Sequence, residues 1–295
     1  MVDALTKTMA IDLLSTAQGA LRQYLKARGA ITELVTAGGE EVHHYVVRGK
    51  GRGGPALLVH GLGGSANGYY RLLFSLSRRF SSVHAVDLPG HGFSPQARGG
   101  PLPLDGQLEV LEHYASTVVR DPALVVGNSL GGAMSLRLAG RRPSFVRALA
   151  LVCPAGARMT PEGFEEVRKA LLVKTTRDAA ALTMRLFHRL PVGWLLFSSE
   201  LKKMYGTPAV RKVFSETTSD MHLAPEELGV LRMPILLLWG ESDRLLPADG
   251  LDYFRAHLPP HAQVELVKGF GHVPQVERPI QVTRRLIRFA DEAGL

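Results

Sequence analysis

Ser129 stands in Gly127-Asn128-Ser129-Leu130-Gly131, between the apolar run Ala123-Leu124-Val125-Val126 and a good helix former, Gly132 to Ala139. A serine in this setting can act as a nucleophile. The run before it reads as a short buried strand, and a tight turn into the next helix holds the hydroxyl out at the sheet edge. Such a turn needs small residues on both sides of the serine. Gly127 and Gly131 meet that need because they lack the Cβ that would clash. The helix N-terminus then aims free N–H groups at the negative charge that develops during attack.

Acyl transfer by serine also needs a base, an acid to orient it and donors for the oxyanion. Each belongs at the C-terminal end of a parallel strand, where open α/β sheets place their ligands. His272 is the base candidate, in Gly269-Phe270-Gly271-His272-Val273-Pro274, just past the predicted strand 263–267. Asp243 is the acid candidate, in Trp239-Gly240-Glu241-Ser242-Asp243, with Glu241 as its rival closer to the strand end. The oxyanion candidates are the backbone N–H groups of Leu130, directly after the serine, and of Leu62, in His60-Gly61-Leu62-Gly63-Gly64.

These motifs together resemble the α/β-hydrolase superfamily, in its helical-cap serine esterase and lipase branch. His60-Gly61-Leu62-Gly63, Asp87-Leu88-Pro89-Gly90-His91-Gly92-Phe93-Ser94, the serine turn, Gly240-Glu241-Ser242-Asp243 and Gly271-His272-Val273-Pro274 occur in that family's order. The resemblance runs from about residue 40 to the C-terminus. It implies a Ser129-Asp243-His272 triad, with the family spacing choosing Asp243 over Glu241. It also implies a mostly parallel central sheet with helices on both faces and an inserted helical cap. Haloalkane dehalogenases and cap-type epoxide hydrolases need a carboxylate where this chain has Ser129. Hydrolases that cut carbon–carbon bonds in ring-cleavage diketones are similar too. They usually carry Gly-Pro-Gly where this chain has Gly63-Gly64-Ser65, and often Trp where it has Val273. Perhydrolase-like relatives tend to have an aromatic residue at the place of Leu62. The expected activity is therefore cleavage of carboxylic esters with an apolar acyl group through an acyl-enzyme, medium-chain esters or monoacylglycerols among them. Carbon–carbon hydrolysis and a receptor-like binding protein are the alternatives.

The elements that must position these residues follow from periodicity. Residues 9–28 read as an amphipathic helix, with Leu14, Ala17, Leu21 and Leu25 at spacings of three and four. That helix can dock on the core, pair with another subunit or associate weakly with a membrane surface. Strands are expected at 31–36 and 42–48 around Gly38-Gly39, then at 56–59, 83–86, 123–126 and 145–152. Helices are expected at 66–79, 107–119 and 132–140. From 157 to 229 no strand is expected, and the segment is rich in large apolar residues, including Leu182, Met184, Leu186, Phe187, Trp194, Leu195, Leu196, Phe197, Met204, Tyr205 and Phe214. Alternation resumes with strand 235–239, helix 249–257, strand 263–267 and helix 279–292. The expected organisation is an N-terminal helical extension (1–30), a first core segment (31–156), the cap (157–229) and a second core segment (230–295). The apolar cap points to an apolar ligand in the cleft beneath it.

Composition fits this picture. The 295 residues are 45% hydrophobic and 21% charged, an ordinary globular balance. The single cysteine, Cys153, excludes an internal disulfide and a cysteine-rich metal site, and reads as a buried, inert thiol. No apolar run is long enough to span a bilayer. Asp3 and Asp12 break the pattern of a secretory leader, so the cytoplasm is the expected location. The net charge of +8 is spread over scattered pairs such as Arg78-Arg79 and Lys202-Lys203, with no nucleic-acid motif. No cofactor and no catalytic metal are expected. His43-His44 falls in a strand, where neighbours face opposite sides. His60, His91 and Asp87 read as loop-ordering residues, and His222 has no evident partner.

Overall fold

A computed structural model describes residues 13–190, 198–218 and 221–295 of the chain, with side chains described outside 13–15 and 198–200. It opens with α1 (Leu13–Ala27), then β1 (Ile31–Ala37), β2 (Glu40–Arg48) and β3 (Ala56–Val59). A 3-10 turn (Ala66–Tyr69) leads into α2 (Tyr70–Leu76), β4 (Ser82–Val86), α3 (Leu104–Tyr114), β5 (Ala123–Asn128), α4 (Leu130–Arg141) and β6 (Val146–Val152). Helices α5 (Pro161–Leu171), α6 (Thr176–Leu186), α7 (Ser198–Tyr205), α8 (Pro208–Glu216) and α9 (Pro225–Gly229) follow. The chain ends with β7 (Ile235–Gly240), α10 (Asp249–His257), β8 (Gln263–Val267), α11 (Pro274–Glu277) and α12 (Pro279–Glu292).

The strands form one eight-stranded sheet in the order β1-β2-β4-β3-β5-β6-β7-β8. β2 runs against β1 and β4, and the pairings from β4 through β8 are parallel. A parallel sheet covered on both faces needs strands that are apolar throughout, and β3, β5 and β7 are buried at every position. Alternate residues feed two cores. Leu57, Val59, Val125, Leu149, Leu151 and Leu237 pack with α3 and α4 on one face. Leu58, Leu124, Val126, Ala150 and Leu238 pack with α2 and α12 on the other. Each fully buried leucine contributes about 1.5–3 kcal/mol.

The periodic segments at the C-terminal end fold as read: the structure has helix 249–257, strand 263–267 and helix 279–292. Two helices differ. The segment 66–79 starts as a 3-10 turn over Ala66–Tyr69, because Asn67-Gly68 is a poor α-helical start, and its α-helix ends at Leu76. The segment 107–119 begins earlier, at Leu104, and its last turn, Ala115–Val119, is a π-turn. Between β6 and β7 the described residues hold helices and no strand.

Helix α1 docks on the sheet domain. Leu25 is fully buried, and Arg22 donates to Thr32 Oγ1 (3.0 Å) while its guanidinium lies 4.8 Å from the Phe93 ring centroid. Residues 9–12 of the predicted helix, and Trp194 to Phe197, lie outside the described residues. Among the described residues no helix is long and apolar enough to cross a membrane.

Candidate active site

The turn between β5 and α4 carries Ser129 at φ 54° and ψ −122°, a left-handed conformation that β-carbon-bearing residues adopt at a cost of about 1–3 kcal/mol. Neighbouring backbone holds it there. Ser129 N–H donates to Val152 O (3.2 Å), and Ser129 O accepts from Gly132 N (2.8 Å) and Ala155 N (3.0 Å). Glycine is required on both sides. A Cβ at Gly131 would sit 2.3 Å from Val59 O, and one at Gly127 would sit 2.3 Å from Gly131 O. The end of β3 therefore presses directly against the serine turn.

Asp243, past β7, and His272, past β8, meet. His272 Nδ1 lies 2.7 Å from Asp243 Oδ2, and both side chains are buried. The other oxygen of Asp243 accepts from Leu245 N (2.9 Å) and Leu246 N (3.1 Å), which leaves Oδ2 aimed at the imidazole. Glu241, the rival acid, is exposed. His272 and Ser129 line one cavity, and no hydrogen bond between their side chains is closed in this structure. Contacts of that kind tighten when substrate fills the site. Leu62 and Leu130 line the same cavity, and their N–H groups donate to no protein acceptor among the described residues.

The loop bearing His272 is fastened by groups that sequence reasoning missed. Asn128 Nδ2 donates to Val152 O (2.9 Å) and to His272 O (3.0 Å), and its Oδ1 accepts from Gln275 Nε2 (2.9 Å). Glu277 accepts from Gly271 N (2.5 Å) and His188 N (3.0 Å). His272 N–H donates to Leu186 O at the end of α6 (2.8 Å). A carboxylate five residues after the histidine was the available sequence signal for Glu277. Tyr205 of α7 was named from the sequence only as one of the large apolar residues of 157–229. Its ring covers Gly63, where an added Cβ would sit 3.0 Å from Tyr205 Cζ, and burial pushes its phenol up to about 12.

The other candidates take structural places. Leu88 N–H donates to His60 Nε2 (3.1 Å), so Nε2 carries no proton and Nδ1–H donates to Gly61 O (2.8 Å). Burial lowers the pKa of His60 and holds it neutral. Burial and the neighbouring His60 hold the His91 imidazole down to about 4. Asp87 accepts from Ala66 N (2.6 Å), Phe93 N (3.1 Å) and His43 Nδ1 (2.8 Å), tying β2, β4 and the loop after β3 together. His44 faces the other way, with Nδ1 2.7 Å from Tyr114 Oη.

Cys153 is fully buried behind the Asp243–His272 pair. Its thiol lies 3.4 Å from Gly271 O as donor and 3.3 Å from Gly240 N as acceptor. Burial and the nearby Asp243 push the thiol well above its ordinary pKa. Ligand atoms of Cys153, Asp243 and His272 lie within 4.8 Å of one another. A cation there would have to break the Asp243–His272 bond and deprotonate a thiol that burial keeps neutral, so the cluster fits a metal poorly.

The cavity has a volume of about 480 Å³ and mostly apolar walls. Leu186, Phe187, Met204, Tyr205 and Phe214 contribute to it, whereas Leu182 is core and Met184 faces solvent. Helix α1 reaches it too, through Ala17, Gln18 and Leu21. An apolar chamber with a few polar groups converging at one place is the usual form of a small-molecule site.

Comparison with known proteins agrees with this architecture. The family model for the alpha/beta hydrolase fold matches residues 54–279. The pimeloyl-[acyl-carrier protein] methyl ester esterase of Xanthomonas oryzae pv. oryzae is 32% identical over 249 residues, covering 80% of this chain and 95% of that protein. Human (Homo sapiens) monoacylglycerol lipase ABHD6 is 25% identical, covering 84% of this chain and 80% of that one. The crystal structure of a membrane phospholipase A, described as a novel bacterial virulence factor, superposes with a TM-score of 0.83 at 25% identity, covering 99% and 96% of the two chains.

Proposed function

The chain belongs to the alpha/beta hydrolase fold family, and from that premise we propose that it is a serine hydrolase of carboxylic esters with an apolar acyl group. The observation that carries the reading is the 2.7 Å Asp243–His272 contact on the cavity that also exposes Ser129. With Nδ1–H given to Asp243, His272 Nε2 is left as a base. It takes the Ser129 proton as Oγ attacks the ester carbonyl, and Asp243 stabilises the imidazolium that results. The N–H groups of Leu62 and Leu130 receive the oxyanion, each worth roughly 3 kcal/mol in comparable sites. His272 then protonates the departing alcohol, and water attacking the acyl-Ser129 ester regenerates the enzyme.

The relatives support ester cleavage as the reaction: they are named as a methyl ester esterase, a monoacylglycerol lipase and a phospholipase A. In this reading residues 31–156 and 230–295 form the catalytic core, and the helices within 157–229 form a cap over the cavity. Turnover of p-nitrophenyl acetate, butyrate, octanoate and palmitate tests it. The expected result is hydrolysis that peaks at one chain length and is lost in Ser129→Ala. A folded wild type that cleaves none of the four overturns it.

A further inference from the structure

Ser129, Leu130, Ala133, Met134 and Arg137 all line the cavity. Spacings of three and four put them on one face of α4, so the cavity follows that helix away from the nucleophile for two turns. Arg137 closes the stripe. The eight-residue rise places its Cα about 12 Å from that of Ser129, and long helical side chains lean back toward the helix N-terminus, here toward the serine.

Arg137 is half-buried and, among the described residues, forms no ion pair and donates no hydrogen bond. Its helix neighbours are not left so. Arg141 reaches Asp105 (3.2 Å) and Arg142 reaches Glu112 (3.0 Å). Arg168, the other arginine on the cavity, is exposed and held by Glu165 (2.8 Å). A partly desolvated guanidinium among apolar walls is costly unless an anion meets it.

A second polar atom without a hydrogen bond lies on the same cavity, in a ring that packs edge-on against Tyr253 (centroids 6.2 Å apart). His222 lines the cavity, and its Nδ1 is buried with no hydrogen-bond partner. Leu223, next to it in the chain, and Ala133 of α4 pack on the same spot: their Cδ1 and Cβ crowd the position of a Cβ at Gly156, at 2.7 and 3.4 Å. Ala133 is one turn from Arg137.

We infer that Arg137, with His222 on the wall of the same cavity, forms an anion subsite that selects esters whose acyl chain ends in an oxyanion, a carboxylate or a phosphate. An acyl chain of about eight carbons spans the interval from serine to arginine. The stripe of Ala133 and Met134 between them takes the methylenes, and the guanidinium takes the charged end in two parallel hydrogen bonds. The inference refines the substrate of the proposed ester hydrolase and rests on that reading for its kinetic test.

The test compares p-nitrophenyl octanoate with mono-p-nitrophenyl octanedioate and p-nitrophenyl 8-phosphonooctanoate. Wild type is expected to favour at least one anionic ester in kcat/KM. Arg137→Gln should reduce that preference at least about tenfold, Arg137→Lys should restore part of it, and His222→Gln should reduce it less. The two anionic arms identify which oxyanion is read. Binding of the octanedioate monomethyl ester and of neutral methyl octanoate to Ser129→Ala, followed by calorimetry, measures the subsite without catalysis. Tighter binding of the octanedioate monomethyl ester that Arg137→Gln removes supports the subsite even if no ester is turned over, which would count against the hydrolase reading alone. Equal treatment of neutral and anionic chains in both assays overturns the subsite, as does a preference that Arg137→Gln leaves intact.

Discussion

At the scale of single residues, the site separates polar groups by what surrounds them. Asp243 has one oxygen occupied by two N–H groups and one turned to His272, and in the proposed reaction its task is orientation. Asp243→Asn keeps the shape and reverses the preferred tautomer of the imidazole. It is expected to lower kcat by about 10⁴, as in comparable triads, while KM changes little. A loss below tenfold would show that Asp243 does not orient the base. The buried histidines make a different prediction. Burial holds His84 and His91 down to about 4, from the ordinary 6.5. Between about pH 6.5 and pH 4 the unfolded chain binds protons at these imidazoles and the folded chain does not. Stability is therefore fully present above pH 6.5 and falls as pH falls through that window. Melting temperature should drop steadily from pH 7 to pH 4.5, and His84→Gln should flatten the slope. An unchanged slope in that variant would contradict the assignment.

Whole elements decide whether those residues meet. The β5–α4 turn and the loop after β3 share backbone contacts, so Gly131→Ala drives a Cβ into Val59 O and His60 O. It should destabilise the fold by about 1–3 kcal/mol in chemical denaturation and reduce turnover, because the loop it displaces carries Leu62. Unaltered stability would mean the two segments can separate freely. Glu277→Ala frees the N–H groups of Gly271 and His188. It is expected to lower kcat more than it raises KM, since it loosens the loop bearing His272 and leaves the cavity walls in place. An unchanged kcat would remove Glu277 from the positioning of His272. Much of this layer was legible in the sequence. The strands β3, β5 and β7 are short apolar runs bounded by turn residues, and Ser129 and Asp243 each follow such a run, whereas His272 follows the alternating strand β8. The roles of Glu277 and of Tyr205 at Gly63 were not legible, because one acts on backbone N–H groups and the other reaches Gly63 from a distant helix. The start of α3 was hidden by Gly106, a poor helix former whose helix is sustained by packing of Leu104 and Leu108.

For the molecule as a whole, the cavity is assembled from segments far apart in the chain. Leu21 of α1, Leu108 of α3, Met134 of α4 and Phe214 of α8 all line it. Helix α1 precedes the region matched by the family model, residues 54–279, yet it forms part of the wall. Leu21→Trp narrows that wall. It should lower the palmitate-to-acetate ratio of kcat/KM by roughly five- to tenfold, whereas an unchanged ratio would take α1 out of the acyl path. Such a composite chamber could not be read from sequence, since apolar periodicity marks a buried face without saying whether it meets core or ligand. The central claim remains that Ser129 is the nucleophile of this chamber, and covalent capture tests it most directly. Treated with a fluorophosphonate and digested, the full chain should yield one modified peptide, with the adduct on Ser129. Labelling should be lost in Ser129→Ala and slowed in Asp243→Asn. A folded protein that takes up no label, or carries it on another residue, would contradict the account.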